Sequence, residues 1–495
     1  MSKPIRFNAF QMHTVSHQSP GLWTHPRDMG HRYTDPEHWT ELARLLEAGR
    51  FDAVFLADVL GAYDVYQGSA DAALRHGVQA PLNDPLALVP LMAQVTTHLG
   101  FGVTCALTYE HPYTFARRIS TLDHLTRGRI GWNIVTGYLD SAARNLGLNQ
   151  QLGHDERYDL ADEYMDVVYK LWEKSWDDDA VVNDKERGVY AEPSRVHPIN
   201  HAGRHYRVPG FHLCEPSPQR TPLLYQAGTS PRGTAFAARH AECTFVSGPS
   251  KQVVKKYADD LRAAVRAAGR DGDTLKIYAQ ALIVTAPTET EARAKHEEYR
   301  RHIDIEAALA LLSGWTGVDF SRYALDATIE YIDSEAGRSA LASFSQADPD
   351  RKWTVREAAE FIGLGGRGPV LVGDAAQVAD QLEAWQDETG IDGFNLAFAV
   401  AHESMRDVVE LIVPELQRRG RYRKEYAPGT LRDQVFGQGP RLAPTHAGRQ
   451  VRIDAAGVAP LKSAASTRTA TRGRTPCGVR PLSGNGCVSL RGCGF

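Results

Sequence analysis

Gln226-Ala-Gly-Thr-Ser-Pro-Arg-Gly233 sets a glycine turn, two hydroxyls and a proline in the order that opens a helix. Unpaired backbone N–H groups at such a start, helped by Ser230, can hold a phosphate. Ordinary capping of the helix by Ser230 satisfies the same string, so both roles stay open. His154 and Tyr158 stand one helical turn apart and project to one face. The acidic residues around them, Asp155, Glu156 and Asp159, would complement a helix N-terminus with no ligand present. Asp58 closes an apolar run, where a carboxylate serves either a site or the cap of a following helix. Thr104 lies within another run and is equally compatible with plain β-propensity, while Asn133 and Thr136 end a further one.

Other patterns carry less. Gly363-Leu-Gly-Gly-Arg-Gly368 fits the dinucleotide glycine spacing, but it precedes an apolar strand-like run when that site must follow one and open a helix, so it reads as a flexible loop. His201 and His205 are spaced like helical metal ligands, yet Gly203 and the polar surroundings argue for a loop. No GxSxG, HExxH, Walker A or CxxC string occurs. Hydrolase, zinc and NTPase chemistries therefore find no support.

Around these residues β-branched apolar runs alternate with helix-period segments, the pattern of repeated βα units. Strand starts at Ile5, Phe51, Leu99, Arg129, Leu223, Cys243, Lys276 and Gly393 give eight units, the number that closes a TIM (β/α)8 barrel. Asp35-Pro36 supplies a cap and a first-turn proline for one helix, and a long amphipathic helix is expected over 157–172. In a barrel the active site sits at the C-terminal strand ends, where Asp58, Thr104 and Asn133 fall. The long intervals near 60–97, 175–222 and 303–390 are expected to hold insertions with too little periodic apolar sequence for cores of their own. An open doubly wound sheet is the alternative architecture.

The 495 residues thus resolve into one α/β barrel over 1–445 and a tail over 446–495. The overall charge of -4 conceals a +7 tail rich in Gly, Ser, Thr and Ala, whose composition predicts disorder. No overall basic field points to nucleic acid, and no run of 18 apolar residues or signal-type leader points to a membrane, so a soluble cytoplasmic protein is expected. Half of the six cysteines lie in the tail.

The strings NAFQMHTVSH, GRFDAVFLAD, EHPYTFARRISTLDHLTRGRIGWNIVTGYLDSAARN, HDERYDLADEYMDVVYKLWE, EPSPQRTPLLYQAGTSPRG, DGFNLAF and VPELQRRGRYRKEYAPGTLRD resemble the bacterial-luciferase-like flavin monooxygenases. Within that superfamily they are similar to the group of nitrilotriacetate, dibenzothiophene-sulfone, long-chain alkane and dimethyl-sulfide monooxygenases. The resemblance covers nearly the whole chain to about residue 445. It implies a barrel that binds FMN in its reduced form, FMNH2, supplied by a separate NAD(P)H-dependent flavin reductase, with O2 and a small molecule as the other reactants. It carries FMN contacts onto Asp58, Thr104, His154, Tyr158 and Ser230, with Ser230 at the phosphate. It carries catalytic, substrate-side positions onto His17, Tyr63 and Gln79; support of a covering loop is the plainer role for Tyr63 and Gln79. The alkane enzymes' pattern has a cysteine at Thr14 and histidines at Tyr138 and Leu311, whereas ALALLSGWTGVDF and TSPRG are closer to the dimethyl-sulfide pattern. The resemblance thus implies oxygenation of a small organic sulfide, with alkane hydroxylation, a non-catalytic flavin-binding barrel and a deazaflavin-dependent dehydrogenase as alternatives. Family members self-associate, so a homo-oligomer is expected.

Overall fold

Eight runs of β-branched and aromatic residues, buried on both faces as parallel strands under helices must be, form the centre of the fold. The computed structural model describes residues 3–228, 230–329, 344 and 352–453. The strands are β1 (Arg6–Met12), β2 (Ala53–Ala57), β3 (Gly100–Ala106), β4 (Ile130–Val135), β5 (Leu223–Ala227), β6 (Cys243–Val246), β7 (Lys276–Thr285) and β8 (Gly393–Ala397). They run parallel in the order β6-β5-β4-β3-β2-β1-β8-β7, and β7 pairs back onto β6 through Cys243–Lys276 to Val246–Ala279. The sheet is therefore a closed eight-stranded barrel, and the open-sheet alternative fails on that last pairing.

Helices cover the barrel where apolar periodicity places them. They include α1 (Pro36–Ala48), α2 (Pro112–Leu125), α3 (His154–Tyr169), α4 (Pro231–His240), α5 (Lys251–Ala267) and α6 (Glu289–Arg300). In α1, Trp39, Leu42, Ala43 and Leu46 are buried, but Asp35 makes no capping hydrogen bond and pairs instead with Arg32 at 3.3 Å. α3 begins three residues earlier than the periodicity suggests, at His154 after Gly153, and continues into a π turn over Lys170–Lys174.

The insertions take three forms. Residues 60–97 form short helices, and 175–222 form two small hairpins, one pairing His201–Ala202 with Arg207–Val208. The third contains α7 (Ile305–Thr316), α8 (Val355–Ile362), a strand Val370–Gly373 added to the far half of β7, and α9 (Ala375–Thr389). The first and third insertions build a joint apolar cluster, with Tyr63, Tyr66, Ala72 and Val78 packed with Leu309, Leu311, Leu312, Phe320 and Ile362. Neither has enough periodicity alone; together they make the core that the sequence reading denied to each.

The N-terminal end of the barrel is plugged by the short helix Leu431–Phe436. Leu431 and Val435 pack with the interior residues Phe55, Tyr225, Phe245 and Tyr278. Arg432 donates to both oxygens of Glu242, at 2.7 and 2.9 Å, and to the carbonyls of Thr221 and Pro222 just before β5. Arg6, which opens β1, donates to the carbonyl of Val435 at 2.8 Å. The polypeptide continues to Ile453: His446, where the sequence reading begins its tail, is buried and bonds the His240 carbonyl at 2.9 Å. The remainder of that tail, 454–495, lies outside the described residues. No described helix is long and apolar enough to cross a membrane.

Candidate active site

Two adjoining cavities, of about 270 and 510 Å³, open at the C-terminal ends of the strands and share Asp58, Val59, Gln79 and Thr104. The smaller is lined by the ends of β1 through β8 and by both core-forming insertions, through Tyr63 and Gln79 on one side and Trp315 and Arg367 on the other. His17, Asp58, Tyr63, Gln79, Thr104 and Asn133 line these cavities, and Ser230, His154 and Tyr158 form a group beside the lining residue Gly228, where a Cβ would stand 3.3 Å from the Tyr158 hydroxyl.

The first group forms an anion-ready corner. Ser230 caps α4, its Oγ accepting from the Gly233 N–H at 3.1 Å, and Pro231 occupies the first helical position. His154 turns Nε2 toward Ser230 Oγ at 3.4 Å while its Nδ1 faces Asp155 at 2.7 Å. The Tyr158 ring lies tilted against His154, with ring centroids 5.3 Å apart, and the Arg232 guanidinium carbon stands 5.4 Å from the Tyr158 centroid. Gly233 is required by this closeness: a Cβ there would stand 2.9 Å from the Tyr158 hydroxyl and 3.0 Å from Ser230 Oγ. The cap satisfies the Gly233 N–H, the Thr234 N–H bonds the Ser230 carbonyl at 2.8 Å and Pro231 carries none, so the Arg232 N–H is the backbone donor that the start of α4 can turn to an anion. Arg232 is neutralised by Asp159 and Asp162, so it adds little net charge to the corner.

The second group lines the floor. Asp58 follows β2 and caps no helix, because the next helical turn starts only at Tyr66. Burial, reinforced by the charge of Asp84, raises its carboxyl to about 7. Thr104 Oγ1 accepts from Asn133 Nδ2 at 2.9 Å, joining β3 to β4. The Oδ1 atoms of Asn133 and Asn395, both on the cavity lining, are buried and without partners. Orphaned acceptors of this kind imply a ligand with donors.

The third group is a chain of hydrogen bonds through His17, Tyr63 and Gln79. Tyr63 donates to Gln79 Oε1 at 2.8 Å and shares a 2.9 Å contact with the Tyr138 hydroxyl; Gln79 Nε2 donates to the His17 carbonyl at 3.1 Å. On the ring side of His17 the chain has a fixed polarity. The Gly365 carbonyl accepts from Gln280 Nε2 at 2.8 Å, so Gln280 offers its other N–H to Gln18 Oε1 at 3.0 Å. Gln18 then presents its own amide N–H to His17 Nε2 at 2.9 Å. Nε2 is thereby an acceptor and the ring proton sits on Nδ1. Burial depresses the imidazole to about 3, so His17 is neutral throughout the physiological range. Burial likewise raises the Tyr63 phenol well above its ordinary value. His17, Tyr63 and Gln79 thus offer neutral dipoles to the cavity, and the cation Arg367 lines the same cavity over Trp315.

The sequence reading missed Gln18, Gln280, Trp315 and Arg367. Its available signal was the glycine string it set aside: Gly365 and Gly366 take φ of +90° and +71° and press the loop against Gln18 and Gln280. His201 contacts Glu163 and Lys170, each at 3.2 Å, and no group of three or more His, Cys, Asp or Glu that could hold a metal ion occurs among the described residues.

Comparison with known proteins agrees with this architecture. The family model described as luciferase-like monooxygenase matches residues 21–393. The chain is 51% identical over 453 residues to dimethyl-sulfide monooxygenase of Hyphomicrobium sulfonivorans, covering 91% of this chain and 94% of the relative. It is 49% identical over 439 residues to long-chain alkane monooxygenase of Geobacillus thermodenitrificans strain NG80-2, covering 89% and 96%. Among solved structures, a riboflavin lyase crystallised with modified FMN and riboflavin is similar at a TM-score of 0.85 and 35% identity, covering 91% of this chain and all of that one, 100%.

Proposed function

The chain belongs to the luciferase-like monooxygenase family, and from that premise we propose that it takes FMNH2 from a separate NAD(P)H-dependent reductase and, with O2, oxygenates a small organic sulfide, dimethyl sulfide being the substrate. The enzyme is a monooxygenase of a flavin-dependent group. The observation that carries the finer reading is the meeting of two unlike groups at the barrel mouth: a capped helix start at Ser230 beside the lining residue Gly228, and the buried neutral side chains of His17, Tyr63 and Gln79.

The residues present fit FMN. The cradle at Gly233, Ser230 and Tyr158 suits a phosphate, and the orphaned acceptors on Asn133 and Asn395 suit donors of a flavin ring. When bound, the reduced flavin supplies the two electrons that activate O2. In this reading Ser230, His154 and Tyr158 hold the phosphate, and Asp58 and Thr104 orient the ring. His17, Tyr63 and Gln79 bound the substrate space and exclude water, which would divert the reaction to peroxide release.

Several side chains favour a small substrate over a long chain. Thr14 Oγ1 donates to the Pro81 carbonyl at 2.6 Å, Tyr138 is engaged with Tyr63, and Leu311 is wholly buried in the insertion core. The 270 Å³ cavity stands at the low end of ligand sites. Insertion of one oxygen into a methyl C–H of dimethyl sulfide gives a hydroxymethyl sulfide, which breaks at C–S into methanethiol and formaldehyde; the second oxygen leaves as water.

The test supplies FMN, a flavin reductase and NADH, and follows methanethiol from dimethyl sulfide beside alcohol from long-chain alkanes. Methanethiol and formaldehyde in equal amounts support the reading. Alcohol formation replaces it with alkane hydroxylation, and peroxide alone from both refutes the substrate class.

A further inference from the structure

Arg367 is a cation without a counter-ion at the mouth of the barrel. It lines the 270 Å³ cavity, where it is the one lysine or arginine among the described residues. It makes no hydrogen bond or ion pair with a described residue; its contact is the face of Trp315, with the guanidinium carbon 5.6 Å from the ring centroid. The ionisable groups that act on it are the phenols of Tyr138 and Tyr257, both neutral at ordinary pH. Burial penalises its charge, which water would otherwise stabilise.

Its placement is enforced. The loop Gly363–Gly368 is tied down by the Gly365 N–H donating to Ser19 Oγ at 3.1 Å and the Gly365 carbonyl accepting from Gln280 at 2.8 Å. A Cβ on Gly366 would lie 2.1 Å from Gln18 Oε1, so the loop is seated directly on the amide chain that orients His17. Trp315 in turn touches Tyr63, whose hydroxyl meets Tyr138. Arg367 therefore belongs to the substrate-side wall, whereas the phosphate corner is built by other elements around Ser230.

We propose that Arg367, held over Trp315 beside Tyr138, anchors an anionic substituent of the substrate, so that the enzyme takes methyl sulfides bearing a carboxylate or sulfonate. A planar guanidinium is suited to two parallel hydrogen bonds with such a group. The inference rests on the oxygenase reading above, keeps its class of small organic sulfides and puts an anionic methyl sulfide in the place of dimethyl sulfide. For a sulfide R–S–CH3, a methyl C–H becomes C–OH, the C–S bond breaks, and the hydroxyl proton passes to sulfur. R–SH and formaldehyde leave, FMNH2 is oxidised to FMN, and the second oxygen of O2 becomes water.

The experiment compares 3-(methylthio)propanoate with its neutral amide in the complete system of enzyme, FMN, reductase and NADH. The anion should be preferred by about tenfold or more in kcat/KM, Arg367→Met should erase the preference, and Arg367→Lys should retain part of it. Equal use of acid and amide by the native enzyme overturns the proposal, as does a preference that survives Arg367→Met. Calorimetric titration of acid and amide into the FMN-loaded protein separates this result from the oxygenase reading. Acid-selective binding lost in Arg367→Met, with no thiol formed, supports the anion subsite and refutes sulfide oxygenation. Weakened binding of reduced FMN in Arg367→Met with the acid-to-amide ratio unchanged overturns the proposal and assigns the guanidinium to the flavin.

Discussion

Replacing Ser230 by alanine separates the two roles that its hydroxyl performs at the start of α4. The cap to the Gly233 N–H is lost, which costs about 1 kcal/mol. In a chain of this size that lowers Tm by no more than about 2–4 °C. A hydrogen bond from the hydroxyl to a doubly charged phosphate would contribute about 1.5–3 kcal/mol. FMN should therefore bind about ten- to a hundredfold more weakly. Riboflavin, which has the ring but no phosphate, supplies the control: its Kd should be the same in both proteins. Quenching of flavin fluorescence measures both affinities, and a thermal melt of each apoprotein reads the cap. If FMN and riboflavin weaken together, the loss reflects a displaced helix. If neither weakens while Tm falls, Ser230 is a cap and nothing more, and the phosphate assignment is refuted.

Further outcomes follow from the same structure. Asp58, raised to about 7, is protonated below that pH and charged above it, so FMN affinity should change across pH 6–8; Asp58→Asn should flatten the profile, and an unaltered profile would exclude Asp58 from the flavin. His17, His38 and His402 are depressed by burial to about 3, 3 and 4. The unfolded chain therefore binds more protons than the native one below about pH 6.5. Their stabilising contribution is complete above that pH and declines toward pH 3, by up to about 1.4 kcal/mol per unit for each residue. Urea titrations at pH 7.5 and 5 should show the loss, with a shallower dependence in His38→Gln. Gly366→Ala should displace Gln18 from His17 and cost about 1–3 kcal/mol through a buried unpaired amide, seen as a lowered urea midpoint; native stability would show that the loop yields freely.

The eight strands were legible because a buried parallel strand is written as a largely apolar run, as in 276–285, and its period is not diluted by a solvent face. Closure was less accessible: counting eight units suggests a barrel, but only the pairing of Cys243 with Lys276 closes it. Ser230, His154, Tyr158, Asp58 and Thr104 could be located because their flanking elements were local. The shared insertion core could not, since Ala72 and Val78 find their partners in Leu309 and Leu312, more than 200 residues away. Arg367 was obscured for a related reason. A glycine-dense string signals freedom when read alone, and its rigidity comes from Gln18 and Gln280, which no local pattern connects to it.

The plug formed by Leu431–Phe436 bears on how the protein is made. Phe55, Tyr225 and Tyr278 acquire their lid from a segment synthesised after all eight strands, and Glu242 obtains its guanidinium partner from Arg432 in that same segment. A nascent chain that has completed β8 therefore exposes a wet interior and an unpaired carboxylate beneath a finished ring of strands. Cooperative closure should wait for residue 436 to clear the ribosome, which makes the interval after β8 the period in which a chaperone has most to hold.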